Sequence, residues 1–496
     1  MYDYANEKAA LREFLAGNKK AAEIKGFFAP YGIYQQKNDQ FMMRIRINGG
    51  RISQETLRKL IEIGKCSKAA YLHFTTRQDV QLHNVNPNRI EAVIDLCQEL
   101  GLPFRGGGGD TFRNLLTAPL CGVRKDSAFD VFPYAEELKK YIFTLEPAFH
   151  LPRKIKIGMY DAPEDERFAR IQDLGFLAVK KDGMKGFRVW GGGGIGRNSA
   201  EGIPLIDFIP VAKAGKAAKA MIDLFSERGN RTNRAQARIR YLVRELGAEE
   251  FRKLWLEYFE KADAPDLKPE FGKSRERILP RSFSAHLNPG LDTWKRINTR
   301  PSLKEEESLV HIRIPHGNFR VKDLEAFAWI MDKYSLAEMR LTTARDFYFV
   351  DFPTDALPAL YDDLLKLLPK LDTTLKSFVG QIVSCVGCSV CKIGLRNSPE
   401  IGDKIGELLD AHFAGKEEEK IRLADTIIDK IRISGCPSCC TTHPTAEIGL
   451  NGTAKDGTLC WQFYSKTDPA QILGTPDAEP TPDDEAVDKI MARLGL

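Results

Sequence analysis

The chain has 496 residues, 43% of them hydrophobic and 28% charged, and carries a formal net charge of +5. That length suggests about three domains of ordinary globular character, and so small a positive excess does not by itself mark a nucleic-acid binder. No run reaches the roughly eighteen apolar residues of a membrane span, and the opening MYDYANEKAALREF is acidic where a secretory signal would be basic and then apolar, so the expectation is a cytoplasmic protein with neither membrane nor nucleic acid as partner.

In chain order, the alternation in MRIRI predicts a strand, SQETLRKLIEIGK has the periodicity of a helix, and LHFTTRQDVQLHNV returns to strand. Strand, helix, strand, helix makes an α+β module with an antiparallel sheet, assigned to residues 1–87. A longer α/β section follows over 88–262, and a stretch rich in proline and charge over 263–307 reads as a linker. HIRI and VKDLEAFAWIMDKY then repeat the strand and helix of the first module over 308–369, and 370–496 forms a second α/β section whose acidic, proline-rich tail ends in a short helix.

The repetition is in register. At a constant offset of 267, FMMRIRINGGRIS meets SLVHIRIPHGNFR, so that Arg46 aligns with Arg313 and Gly50 with Gly317; LHFTTRQDVQLHNV meets MRLTTARDFYFVDF, and Cys121 falls on Cys388. Such long-range self-similarity marks an internally duplicated fold.

Ten cysteines in a cytosolic chain argue against a disulfide framework, and six of them crowd into QIVSCVGCSVCKIGL and GCPSCC. Facing pairs of this kind can hold zinc. Cys385, Cys388 and Cys391 also open a bacterial ferredoxin run, but the fourth position of that run is Leu395. A third parse takes Cys385-x5-Cys391 with Cys436-x3-Cys440. These spacings, with GCPSC and the trailing AEIGLNG, resemble the sirohaem and [4Fe-4S] signature of the sulfite and nitrite reductase family. The resemblance implies a cubane held by Cys385, Cys391, Cys436 and Cys440, with Cys440 also ligating the sirohaem iron. It leaves Cys388 and Cys439 as thiols packed beside the cluster, and Cys66, Cys97 and Cys460 as isolated thiols.

The same resemblance assigns residues that carry no sulfur. In HFTTRQDVQLHNV, Thr75, Arg77 and Gln81 match macrocycle contacts, and their shared parity on a strand would put them on one face. Arg44 in FMMRIRINGG, Arg113 with Asn114 in GDTFRNLL, and Lys154 with Lys156 in LPRKIKIG match an anion pocket: Arg44, Arg113, Lys154 and Lys156 would grip and protonate the substrate, and Asn114 and Arg153 would contact the macrocycle. Crowded cations should depress the lysine pKa values, which suits proton donation. The basic stretch from Arg228 to Leu246 is a further macrocycle candidate. Lys-x-Lys is typical of the sulfite-reducing branch, Lys-x-Asn of the nitrite-reducing one.

RVWGGGGIGRNSAEG contains Gly191, Gly193 and Gly196 in dinucleotide-loop spacing, but Pro204 and LIDFIPV arrive where a helix would be needed. This loop and RGGGGD are read instead as close backbone approach to the macrocycle. No flavin or nicotinamide module is visible, so electrons would come from a ferredoxin or a separate flavoprotein. The expectation is six-electron reduction of sulfite to sulfide on two ferredoxin-like modules and two α/β sirohaem and cluster domains, with reduction of nitrite to ammonia as the alternative. A colourless zinc-stabilised scaffold is the alternative from another class.

Overall fold

The computed structural model describes residues 3–102, 104–271, 288–468 and 470–496. It is an α+β fold built on four five-stranded sheets. Two sheets are antiparallel and repeat each other. The first runs Ile33–Gln35, Phe41–Ile45, Val80–Val85, Tyr71–Phe74, Asn318–Phe319, and the second runs Thr299–Pro301, Glu307–Ile312, Phe347–Pro353, Glu338–Leu341, Arg51–Ser53. Each therefore ends on a strand supplied by the other half of the chain: Asn318 pairs with His73, and Arg51 with Arg340. The expected modules exist, but neither sheet closes without the other.

Helices Gln54–Ser67 and Val321–Lys333 cover these sheets and pack on one another. Each starts where its sequence supplies a cap: Ser53 Oγ accepts the N–H of Thr56 at 3.1 Å, and Asp323 accepts the N–H of Arg320 at 2.7 Å. The duplication extends to unusual backbone angles, since φ is positive at Gly50 and Gly317, at Gln78 and Arg345, and at Asn84 and Asp351, each pair 267 residues apart.

The other two sheets also share one topology. Leu116–Thr117, Ile157–Tyr160 and Leu174–Lys181 are parallel, followed by antiparallel Met184–Gly191 and Ile203–Pro210; Val383–Ser384, Ile431–Ser434 and Ile448–Lys455 are parallel, followed by antiparallel Thr458–Ser465 and Thr475–Pro476. Three large apolar cores result, one shared by the two antiparallel sheets and one for each mixed sheet.

Two expected boundaries shift. Helix Ile90–Glu99 packs on Gln54–Ser67 and so belongs with the first module, beyond residue 87. Of the expected linker 263–307, residues 272–287 lie outside the described residues, while Leu291–Asn298 is a helix and Thr299–Pro301 a sheet strand. Proline and charge upstream mask the apolar stripe of that helix, in which Leu291, Trp294 and Ile297 are buried. Among the described residues no helix is long and apolar enough to cross a membrane.

Phe74, fully buried, touches the ring of Phe319 at a centroid distance of 4.2 Å and that of Phe347 at 6.0 Å, both from the other half. Phe74→Ala should cost about 3–5 kcal/mol, read as a lower urea midpoint for unfolding.

Candidate functional site

The hairpin between Tyr71–Phe74 and Val80–Val85 turns through Thr75–Asp79. The Thr75 hydroxyl accepts the N–H groups of Arg77 and Asp79 at 3.2 and 3.0 Å, and Gln78 takes a left-handed φ of 56°. The expected single strand face for Thr75, Arg77 and Gln81 is thus wrong. Only Gln81 is in a strand, because the threonine hydroxyl offers the backbone a turn in place of the ladder.

Around this turn the remaining predicted residues assemble. Arg44, paired across strands with Gln81, forms an ion pair with Asp79 at 3.2 Å. Arg77 donates to Gln172 at 3.1 Å and to the carbonyl of Asn114, and the Asn114 amide donates to the carbonyls of Ile47 and Arg77 at 2.7 and 3.0 Å. Arg113 donates to Thr111 Oγ1 at 2.8 Å and to the carbonyl of Gly109 at 2.6 Å. Lys154 and Lys156 flank Ile155, which bridges to Phe112 just before strand Ile157–Tyr160. The Lys156 N–H is held by Asp173 at 2.8 Å, itself gripped by Arg238 at 2.9 Å. Arg153 is committed to Asp110 at 2.8 Å, which also takes Arg234 at 2.6 Å.

These groups repel one another. Burial, then Arg113, Arg238 and Arg153, pushes the Lys154 ammonium down to about 7. Burial, then Arg77, Lys154 and Arg238, holds Lys156 well below the ordinary lysine range, and burial lowers Arg113 to about 9 and Arg77 to about 10. Both lysines keep accessible surface although protein surrounds them, as residues lining a cleft do. The Nε groups of Arg44 and Arg77 are buried without a hydrogen-bond partner. Uncompensated cations and orphaned donors in one cleft call for a polyanion.

Two residues of this cluster, Arg238 and Arg240, were visible in the sequence only as part of a basic stretch. Arg240 is 4% exposed, with Nε and Nη1 both unpartnered, and its guanidinium lies against Gly194 and Gly196. Their signal, two arginines two apart, falls where extended chain at Arg238 enters helix Ile239–Leu246, so neither strand nor helix periodicity singled them out.

The thiols converge on the same cleft. Cys440 is exposed to it, and its thiol is pushed up by burial and by Cys385, Cys436 and Cys391, while Lys154 acts in the opposite sense. Cys391 is raised by burial and then by Cys385 and Cys436. Four sulfurs from two segments therefore share one neighbourhood. Cys385 Sγ already receives the N–H of Gly435 at 3.1 Å and lies 3.1 Å from Ser398 Oγ. Among the described residues no group of three or more His, Cys, Asp or Glu side chains that could hold a metal ion is found; four neighbouring thiols are the number and kind of donor that a [4Fe-4S] cluster takes. Cys439 is buried, and its thiol donates to the carbonyl of Gly196 at 3.3 Å.

The glycine loops have a different cause from the one expected. A Cβ at Gly107 would lie 2.7 Å from the Tyr31 carbonyl, and one at Gly108 2.2 Å from that of Ala29. RGGGGD is thus pressed against the N-terminal segment of the protein. A Cβ at Gly193 would likewise lie 2.3 Å from the Arg170 carbonyl.

The depressed Lys154 has a consequence for the apoprotein. Between about 7 and the ordinary lysine range the unfolded chain binds a proton that the folded chain does not, so stability contributed by neutral Lys154 is lost as pH falls through that window. Lys154→Met should flatten the rise in urea midpoint of the apoprotein between pH about 7 and about 9.5.

Comparison with known proteins fits this geometry. A profile described as the nitrite/sulfite reductase ferredoxin-like half domain matches residues 34–100 and 303–367, and one described as the nitrite and sulphite reductase 4Fe-4S domain matches 108–262. The latter is the first mixed-sheet section, whereas the clustered thiols lie in its second copy. Ferredoxin–nitrite reductase of Synechococcus elongatus is 26% identical over 435 residues, 85% of this chain and 78% of that protein. The sulfite reductase [NADPH] hemoprotein beta-component of Nitrobacter hamburgensis is 26% identical over 486 residues, 87% of this chain and 78% of that protein. The NirA structure from Mycobacterium tuberculosis superposes with a TM-score of 0.79 at 20% identity, covering 99% of this chain and 90% of that one. With its duplicated ferredoxin-like halves, its cationic cleft and its gathered thiols, the chain belongs to the nitrite and sulfite reductase family, whose members carry sirohaem and a [4Fe-4S] cluster.

Proposed function

We propose that this protein catalyses the six-electron reduction of nitrite to ammonia, with electrons from a ferredoxin. The observation that carries the reading is Lys154, which acts electrostatically on Cys440 on one side and on Arg113 and Arg153 on the other, joining an anion pocket to a thiol cluster. Choice of nitrite and of ferredoxin is supported by relatives named as ferredoxin-dependent nitrite reductases, from Synechococcus elongatus, Haloferax mediterranei and several plants, at 25–27% identity.

Arg44 and Arg113 would bind the oxyanion through planar, charge-assisted donors. Lys154 and Lys156, whose protons are weakly held, would donate them to oxygen atoms departing as water. Thr75, Arg77, Gln81, Asn114 and Arg153 would meet the macrocycle, with Arg153 exchanging or sharing its Asp110 partner. Arg238 and Arg240 join them on the strength of the unpartnered Arg240 donors. Cys385, Cys391, Cys436 and Cys440 would hold the cluster, and Cys440 would also be a ligand to the sirohaem iron. The bound sirohaem and cluster supply the electron chemistry; the chain's own contribution is orientation, charge and protons.

Sulfite is the second reading, favoured by the Lys154–Lys156 pair and by the Nitrobacter relative. The sulfite preference expected from that pair yields first place because nitrite reductases from cyanobacterial, archaeal and several plant sources match at 25–27% identity over 83–87% of the chain, against the one sulfite reductase component named above.

Turnover of the purified holoprotein with each anion, using a reduced dye as donor, tests the choice. A higher kcat/KM for nitrite is the expected result, and a higher one for sulfite would reverse the order. Lys156→Asn should move the nitrite-to-sulfite ratio toward nitrite by about tenfold, the effect of losing one charge-assisted hydrogen bond. Iron and acid-labile sulfide counts test the ligand set: Cys391→Ser should lose most of both, and Cys388→Ser should keep them.

A further inference from the structure

The two hairpin turns, Thr75-Thr76-Arg77-Gln78-Asp79 and Thr342-Thr343-Ala344-Arg345-Asp346, occupy equivalent places in the duplicated halves. At their fourth position φ is +56° for Gln78 and +76° for Arg345, a left-handed conformation that bulky side chains avoid. Gln78 does a plain architectural job there, its amide donating to the carbonyls of Thr117 and Leu341 at 2.9 and 2.8 Å. Arg345 does the same job, donating to the carbonyls of His316 and Ile382 at 2.8 and 3.1 Å. A neutral amide suffices to tie two carbonyls at this position, so the positive charge of Arg345 is surplus to the architecture.

That charge is expensive. Arg345 is 3% exposed, and its Nε is buried with no partner. Asp346 beside it is already engaged by His311 at 2.7 Å and by Thr342. What Arg345 does face is Cys385: both line a cavity of about 220 Å³, together with Tyr71, His316, Asn318 and Asp403. Burial lowers the guanidinium to about 10, and the Cys385 sulfur is the strongest influence holding it up. It stays a cation at neutral pH.

We propose that Arg345 is a positioning residue that sets the reduction potential of the cluster through the Cys385 corner. Reduction adds one electron and hence one negative charge to the cluster, and a fixed buried cation beside one of its sulfurs stabilises that state over the oxidised one. Together with the Gly435 N–H, it makes Cys385 the corner toward which added charge is drawn. The inference rests on the proposed assignment of Cys385 as a cluster ligand. Asp403 lines the same cavity and lies 3.4 Å from His316, so its carboxylate should act in the opposite direction, and more weakly.

The test is a redox titration of the holoprotein monitored by the electron paramagnetic resonance of the reduced cluster. Arg345→Gln, which copies the residue of the first half, should disfavour reduction about tenfold, a midpoint roughly 59 mV lower for a one-electron couple. Arg345→Lys should stay within about threefold of the parent, and Asp403→Asn should favour reduction by about two- to threefold. A fully assembled Arg345→Gln protein with an unchanged or raised midpoint would overturn the proposal. If that variant does not fold, Asp403→Asn decides: an unchanged or lowered midpoint overturns it. A parent holoprotein with no [4Fe-4S] signal would overturn the assignment of Cys385, and this inference with it; an intact parent signal separates the two failures.

Discussion

The exchange of edge strands between the two halves is the constraint on which the rest depends. Arg51–Ser53 completes the sheet of the second half, and Asn318–Phe319 completes that of the first. A sheet edge left unpaired exposes a row of backbone donors and acceptors, so each half needs the other before its own sheet is finished. The exchange brings Phe74 against Phe319 and Phe347 and fuses both modules into one apolar core. Of the two hairpin turns, that of the first half brings Arg77 into the cationic cluster, and that of the second brings Arg345 to the cavity it shares with Cys385.

On that frame the site is an exercise in unfavourable electrostatics. Burial first, and then the neighbouring cations with Arg44 and Arg238 among them, weaken the hold of Arg77, Arg113, Lys154 and Lys156 on their protons, with Asp79 and Asp173 as the carboxylates in the cluster. Asp79 and Asp173 are each held by an arginine, and the carboxylate of each also receives a backbone N–H: Asp173 that of Lys156, and Asp79 that of Ile47 at 3.5 Å. The acids thus orient the cations without cancelling them. On the proposed function, a carboxylate-rich macrocycle would supply the negative charge that this cluster of buried cations lacks.

The duplication was legible from sequence because it is carried by local patterns, strands of period two and helices with caps, repeated at one offset. That Arg44, Arg113, Lys154 and Lys156 would gather in one place was legible through the family resemblance, because spacing and residue type survive as short motifs. What escaped was set by long-range packing. The turn at Thr75 reads as strand because threonine and valine favour strands, and only the hydroxyl's bonds to Arg77 and Asp79 reveal the bend. RGGGGD reads as room for a ligand, whereas the space is taken by Ala29 and Tyr31 from an element about eighty residues upstream. Helix Leu291–Asn298 was hidden by the composition around it. The strand exchange itself leaves no trace in any window, since Arg51–Ser53 and Asn318–Phe319 are too short to show a period.

The loop that carries Cys436 and Cys440 is tethered to the first half at two adjacent residues: the hydroxyl of Thr76 donates to the carbonyl of Cys440, and the thiol of Cys439 donates to that of Gly196. Those anchors are translated hundreds of residues earlier. On the proposed assignment of these thiols, the prosthetic groups would be seated only on a polypeptide whose two halves had already embraced, and truncated translation products would lack the means to retain them.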